Sequence, residues 1–442
     1  MIDAVPVPHD IPLALPADRV DLEILIVASF LLHILFVALM VGGAVLTLIY
    51  ELRGRRDRDL DALALEIAKT VTVNKSLAVV LGVAPLLVMN ALYGVHFYSA
   101  NALTGTAWLA IIPLVALAFL LTYAHKYSWH ALAERKGLHV AIGAAGTALF
   151  LFIPLIFLAN INLMLFPEHW GSVHGFLSTL PLPNVLPRYL HFVIAAVAVT
   201  GLFLAGWFGR RGYPTEVVFE RLDRATIRRE MTGVALAATT LQGLAGPLLL
   251  FTLPAQGMSW TLVGDILLGV TLAVVATVLL WRETVDARPA VGQRYLVIVV
   301  LLAGTVLFMG YGRHLYRERA LAPHSRAMAA RTQDYQAAVL GARMRAESGT
   351  QREGGAEAVT SPGERIFRSV CMGCHAFDRR LVGPPVPEIA SAYQGDPEGL
   401  AAWVKAPGRK RADYPEMPPI PLRPEQYREV AEYVLEAARD EQ

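Results

Sequence analysis

The stretch LLHILFVALMVGGAVLTLIYEL runs from Leu31 to Leu52. It is the core of an apolar window at 24–50, long enough to cross about 30 Å of hydrocarbon as a helix. A second stretch, YLHFVIAAVAVTG from Tyr189 to Gly201, echoes it. Aligned on His33 and His191, both read L-H-x-x-x-x-A-x-x-V-x-G. Each places one histidine near the start of an otherwise apolar helix.

The remainder of the chain fits this beginning. Of its 442 residues, 55% are hydrophobic and 17% charged. A soluble domain carries about 25% charged residues, so a membrane protein is expected. Eight apolar windows are read, at 24–50, 76–98, 104–125, 139–166, 187–208, 231–253, 261–281 and 293–312. The expected fold is all-α: a polytopic bundle of about eight transmembrane helices in two four-helix halves, followed by a small C-terminal domain. The expected domains are 1–313 in the membrane, 314–360 as a linker and 361–442 as the compact C-terminal domain.

Lys and Arg set the expected orientation. They gather after windows 1, 3, 5 and 7, at Arg53, Arg55, Arg56, Arg58, Lys69 and Lys75, then Lys126, Arg135 and Lys136, then Arg210, Arg211, Arg221, Arg224, Arg228 and Arg229, then Arg282, Arg288 and Arg294. The connections 99–103 and 254–260 hold none. Both termini are therefore expected on the periplasmic side of a bacterial inner membrane. Arg313, Arg317 and Arg319 run against this pattern. The first 21 residues lack a charged n-region, a short apolar core and a cleavage site, so export is expected to depend on the first helix. Beyond the last window, 313–346 is polar and Ala/Arg-rich and reads as one or two surface helices. The segment ESGTQREGGAEAVT reads as a flexible tether, spanning roughly 20 Å r.m.s..

The only two cysteines, Cys371 and Cys374, lie in CMGCH. C-x-x-C-H is the attachment pattern of c-type haem. Two thiols add to the haem vinyls, and the next residue, His375, faces the iron. A zinc half-site would need further Cys or His ligands nearby, and none follows. Ser361, Pro362 and Glu364 open a capped helix before the motif. VGPP follows it, Met417 lies in a Pro-rich loop, and RPEQYREVAEYVLEAARD reads as a terminal amphipathic helix. Residues 361–440 resemble the class I cytochrome c family. That resemblance implies one covalent haem c, His375 and Met417 as axial ligands, and Pro384 orienting His375 through its carbonyl. It also implies Phe367 and Tyr433 where the first and last helices cross.

An ionisable residue inside a membrane is a functional candidate. For His33 and His191 two readings stand: an interhelical hydrogen bond or axial ligation of haem b. His125, His130 and His139, at the inner edge, read as interfacial polar residues. LLHILFVALMVGGAVLTLIYEL, GVAPLLVMNALYGVHFY, IPLIFLANINLMLFPEHW and YLHFVIAAVAVTG look like successive segments of subunit I of cytochrome bd-type oxidases, and FMGYGRHLY faintly resembles a late motif of that family. The likeness covers about 22–210. It implies one or two haems b, with His191 holding the low-spin haem and His33 a high-spin one. Asn90 and Gly310 stand where that family has glutamates, and its quinol loop is absent; only AQGMSWTL separates windows 6 and 7. For a partner to His191, Met258, Met309, Met164 and His96 lie on the correct side.

The expected function is a membrane-bound respiratory cytochrome, moving electrons between haem c and haem b in a bd-oxidase-like complex, with oxygen as one candidate acceptor. Two other readings stand beside it: an electron-transfer subunit serving a periplasmic redox enzyme, and a haem-b-free membrane anchor for a cytochrome c. No catalytic residue is assigned. Expected partners are other respiratory subunits or a periplasmic electron donor or acceptor, membrane lipid and, by the resemblance, a homodimer or pseudo-dimer. A net charge of +2 and the lack of a basic run give no support to a nucleic-acid partner. P-loop, H-E-x-x-H, G-x-S-x-G and dinucleotide fingerprints are absent.

Overall fold

A computed structural model describes residues 14–286, 292–347, 361–411 and 413–440. These residues are helical, with no strand among them. Among the described residues eight helices are long and apolar enough to cross a membrane. They are α1 (Arg19–Arg53), α2 (Arg58–Thr104), α3 (Thr106–Tyr127), α4 (Lys136–Leu165), α5 (Val185–Gly209), α6 (Arg224–Phe251), α7 (Trp260–Val285) and α8 (Tyr295–Glu347). The chain forms two compact units, Met1–Ala337 and Ala338–Gln442.

The echo has a packing counterpart. Gly42 of α1 lies against the Ala196 carbonyl and Thr200 of α5, where a Cβ would collide. Thr200 Oγ1 donates to the Ala38 carbonyl at 3.2 Å. Ala38 and Ala196 are matched positions of the echo, each five residues beyond its histidine. The echo glycines also behave alike. Gly43 faces Val71 of α2, and Gly201 faces the backbone of Met231 and Ala235 in α6. Each echo helix thus presents a small residue to the next long helix, and the two meet each other through small residues, the usual means of close approach between apolar helices.

Two expectations about connections change. The charged stretch after window 1 was expected as a loop to Lys75, yet only Gly54–Asp57 separates α1 from α2. Asp57 caps α2, accepting from the N–H groups of Asp59 (3.0 Å) and Leu60 (3.3 Å). Leu63, Ala64, Ile67, Ala68 and Val71 then form a buried stripe at helical spacing. The charges occupy the other faces. Asp59 is buried and accepts from the backbone N–H groups of Glu220, Arg221 and Leu222 at 2.7–3.0 Å. It fixes the α5–α6 connection to the start of α2.

The boundary expected at 313 also moves. α8 continues unbroken to Glu347, and residues to 337 belong to the eight-helix unit. Tyr316, Ala320, Leu321, His324 and Met328 are buried along one side of it. Glu318 pairs with Arg19 at 2.7 Å and accepts from Tyr93. The exposed arginines made this stretch look like a surface helix, but its small and apolar positions pack inward. Beyond Glu347 the expected tether lies outside the described residues.

In the second unit, α9 (Pro362–Ile366) leads into a wide turn at Phe367–Cys371, followed by α10 (Val386–Tyr393), α11 (Pro397–Lys405) and α12 (Pro424–Asp440). Ser361 Oγ accepts from the Glu364 N–H at 3.1 Å, and Asp396 caps α11 through Gly399 N–H at 3.0 Å. Phe367, Val386, Leu400, Val430, Ala431 and Leu435 form the core.

Candidate haem sites

Cys371 ends the wide turn that begins at Phe367. The N–H groups of Cys374 and His375 both donate to the Cys371 carbonyl at 3.0 Å. This holds the two thiols and the imidazole on one tight turn. Cys371 is half-buried and Cys374 exposed. Burial, with Cys374 adding, pushes the Cys371 thiol up to about 11, so the unmodified residue is a thiol at neutral pH.

His375 Nδ1 donates to the Pro384 carbonyl at 2.8 Å. Nε2 is then the ring atom left for a ligand. Gly383 lets the loop come this close; a Cβ there would collide with the ring. Gly383 N–H donates to the Cys374 carbonyl and Val386 N–H to the Ala376 carbonyl, both at 2.9 Å, clamping the loop to the motif. Met417 packs against the same core as Cys371, and its N–H donates to Gly408 O at 3.3 Å. Val370, Met372, Leu381 and Val382 remain exposed around the motif. These side chains flank the attachment turn and the Gly383 loop in sequence and offer an apolar rim. Two thiols, an imidazole with one free nitrogen, a thioether in the same domain and an apolar rim together fit a covalent haem.

Phe367 is buried, with its ring 5.7 Å from that of Tyr433. α9 and α12 cross here because Gly363 has no side chain; a Cβ would press into the Glu429 carbonyl and lie 2.8 Å from the Tyr433 Cβ. Gly363→Val is expected to destabilise the C-terminal unit by about 2 kcal/mol or more. Thermal unfolding followed by haem absorbance would show it; an unchanged midpoint would remove the crossing from the account.

The membrane histidines differ from each other. His33 Nδ1 donates to the Ala78 carbonyl of α2 at 2.9 Å, and its ring lies against Gly82. His191 Nδ1 is buried with no partner among the described residues. The carbonyl of His191 accepts from Gln242 Nε2 of α6 at 2.8 Å. Both histidines sit on the same side of the α1–α5 crossing, about 7.5 Å along each helix from the matched alanines. Among the residues considered beside His191, His96 is bonded to His324 at 3.0 Å and Met164 is fully buried in the core with Phe166 and Trp170. Met309 packs on Gly269, and Met258 lies beside Leu262 and Tyr316. Among the described residues Asn90 Oδ1 is buried without a partner, and Gly310 packs against Leu31.

His125 and His139, expected as interfacial polar residues, are instead buried. Glu51, His125 and His139 meet in a buried cluster at the opposite end of the bundle. They are 74 and 14 residues apart, so no local spacing announces them.

No family model matches the chain. Over 77 residues it is 36% identical to cytochrome c-551 of Azotobacter vinelandii, covering 94% of that protein and 16% of this chain. It is 30% identical over 79 residues to cytochrome c-551 of Pseudomonas denitrificans, covering 96% of that protein and 17% of this chain. The same comparison with cytochrome c-551 of Stutzerimonas stutzeri gives 33% over 82 residues, 79% of that protein and 18% of this chain.

Proposed function

The chain belongs, through its C-terminal domain, to the cytochrome c-551 family, and from that premise we propose that it is a membrane-bound respiratory cytochrome that passes electrons between haem c and haem b. The C-terminal domain is an electron-transfer haem c protein. Haem, when bound, supplies an iron that gains and loses one electron at a time. Cys371 and Cys374 would tether it and His375 and Met417 would ligate it. Pro384 holds the imidazole in one tautomer through Nδ1.

The observation that carries the membrane part is His191. Nδ1 of His191 is buried without a partner among the described residues, which costs about 1–3 kcal/mol; an iron taken by that nitrogen would remove the cost. His33 occupies the matched place on α1 and, with Nδ1 donating to Ala78, keeps Nε2 for a second haem. The scaffold would be bd-oxidase-like, with Asn90 and Gly310 in place of two of that family's carboxylates and the cytochrome domain replacing quinol as the point of electron entry. The connections rich in Lys and Arg all lie at the end opposite the N-terminus. They favour an inner-membrane protein with its N-terminus and cytochrome domain in the periplasm.

The reading of a haem-free anchor rests on His33, whose bond to Ala78 is a sufficient structural role. Haem quantification as pyridine haemochromes separates the two. One or two haems b per haem c are expected; a ratio of zero would leave only the anchor.

A further inference from the structure

Glu51 lies 18 residues beyond His33 on α1, about 27 Å along the helix. It is fully buried, as is His139, and His125 is nearly so. His125 Nε2 meets Glu51 Oε2 at 2.7 Å, and His139 Nδ1 meets Glu51 Oε1. His139 Nε2 lies 2.8 Å from the His125 carbonyl.

These contacts fix a proton count. A backbone carbonyl only accepts, so His139 Nε2 carries hydrogen. Its Nδ1 faces a carboxylate oxygen, and that contact also needs a hydrogen between the two atoms. His125 supplies Nε2–H to the other oxygen. The cluster therefore holds one proton more than a carboxylate and two neutral imidazoles contain.

The surrounding charges agree. Lys136, at the start of α4, reaches Glu51 Oε1 at 3.2 Å and Asp61 of α2 at 2.5 Å. Trp129 Nε1 donates to Asp61 at 3.0 Å, and the Lys136 ammonium lies 4.4 Å above the Trp129 ring. With the extra proton, the Glu51, His139, Asp61 and Lys136 charges sum to zero, which limits the cost of burying them. A divalent ion would leave an excess positive charge beside Lys136. Ion-ligand bonds of about 2.0–2.1 Å also hold donor atoms farther apart than a hydrogen bond does.

The cluster opens inward. A cavity of about 20 Å³, room for a water molecule, is bounded by His125, Thr47, Thr122, Thr147 and Gly143. Thr47 Oγ1 is buried without a partner among the described residues. Gly143 admits the His125 ring; a Cβ there would lie 2.6 Å from Nε2.

We propose that Glu51, His125 and His139 form a proton-binding site at the basic end of the bundle, holding one exchangeable proton next to a water-sized cavity whose largely apolar wall includes three threonines. The site does not depend on haem b. Full-length protein labelled with ¹⁵N-histidine tests it by NMR at about pH 8.5, two units above the usual histidine value. One imidazole is expected to keep protons at both nitrogens, or to share its Nδ1 proton with a carboxylate. That signal should vanish in Glu51→Gln and persist when the exposed His130 is changed to Gln. The wild-type spectrum alone is decisive if Glu51→Gln fails to fold. The proposal is overturned if every histidine outside the haem sites shows one protonated and one bare nitrogen. It is equally overturned if the purified protein carries one equivalent of zinc that His139→Gln abolishes.

Discussion

His375→Ala is expected to lower the yield of c-type absorbance by roughly tenfold or more, since ligand binding and folding of such a site are coupled. The substitution removes the one imidazole on the attachment turn and strands the Pro384 carbonyl that it serves. Met417→Ala should behave differently. Both thiols remain, so the haem stays attached and the yield stays near that of the parent. Thioether ligation raises haem potentials, and axial ligands set them over a range of about 0.8 V. Loss of Met417 should lower the midpoint potential of haem c on the order of 0.1 V. Redox titration of both proteins checks this. A Met417→Ala protein with an unchanged potential would make Met417 a packing residue of the C-terminal core.

The second large effect concerns the echo histidines. His191→Leu is expected to remove a b-type haem outright, halving the membrane haem where two are present and abolishing it where there is one. The two readings of His191 give opposite signs here. If the residue only packs, leucine removes a buried nitrogen that has no partner among the described residues, and the unfolding temperature should rise by the equivalent of about 1–3 kcal/mol. His33→Leu supplies the contrast. It breaks a bond to Ala78, at about 1 kcal/mol in either case, and in the haem-binding case it also changes the b-type spectrum. Absorbance spectra and thermal midpoints of the two variants, taken together, separate these outcomes.

Much of the fold is legible in the sequence because membrane spans and the C-x-x-C-H motif are local signals. A helix long and apolar enough to cross a membrane stands at each of the eight windows, several of them extending well beyond it. The connections are less legible. Charges at 53–75 mask a helix start whose buried stripe runs from Leu63 to Val71, and exposed arginines mask the inward side of α8 near Leu321 and His324. Net composition blurs such faces; periodicity resolves them. The haem c turn is readable in full, but Gly363 and Gly383 acquire meaning only once a neighbour stands where their Cβ would be. The Glu51 cluster is the least readable part. Its members come from three helices and share no pattern, and each alone looks like a polar residue at a membrane edge.

The central claim is that one chain carries electrons between its C-terminal domain and its membrane helices. Anaerobic stopped-flow reduction with a small hydrophilic donor tests this most directly. Haem c absorbance should change first, at a rate set by donor concentration. A b-type signal should follow in a phase independent of both protein and donor concentration, and it should be lost in His191→Leu. Full reduction of haem c with no b-type signal following, in protein shown to be intact, would contradict the account.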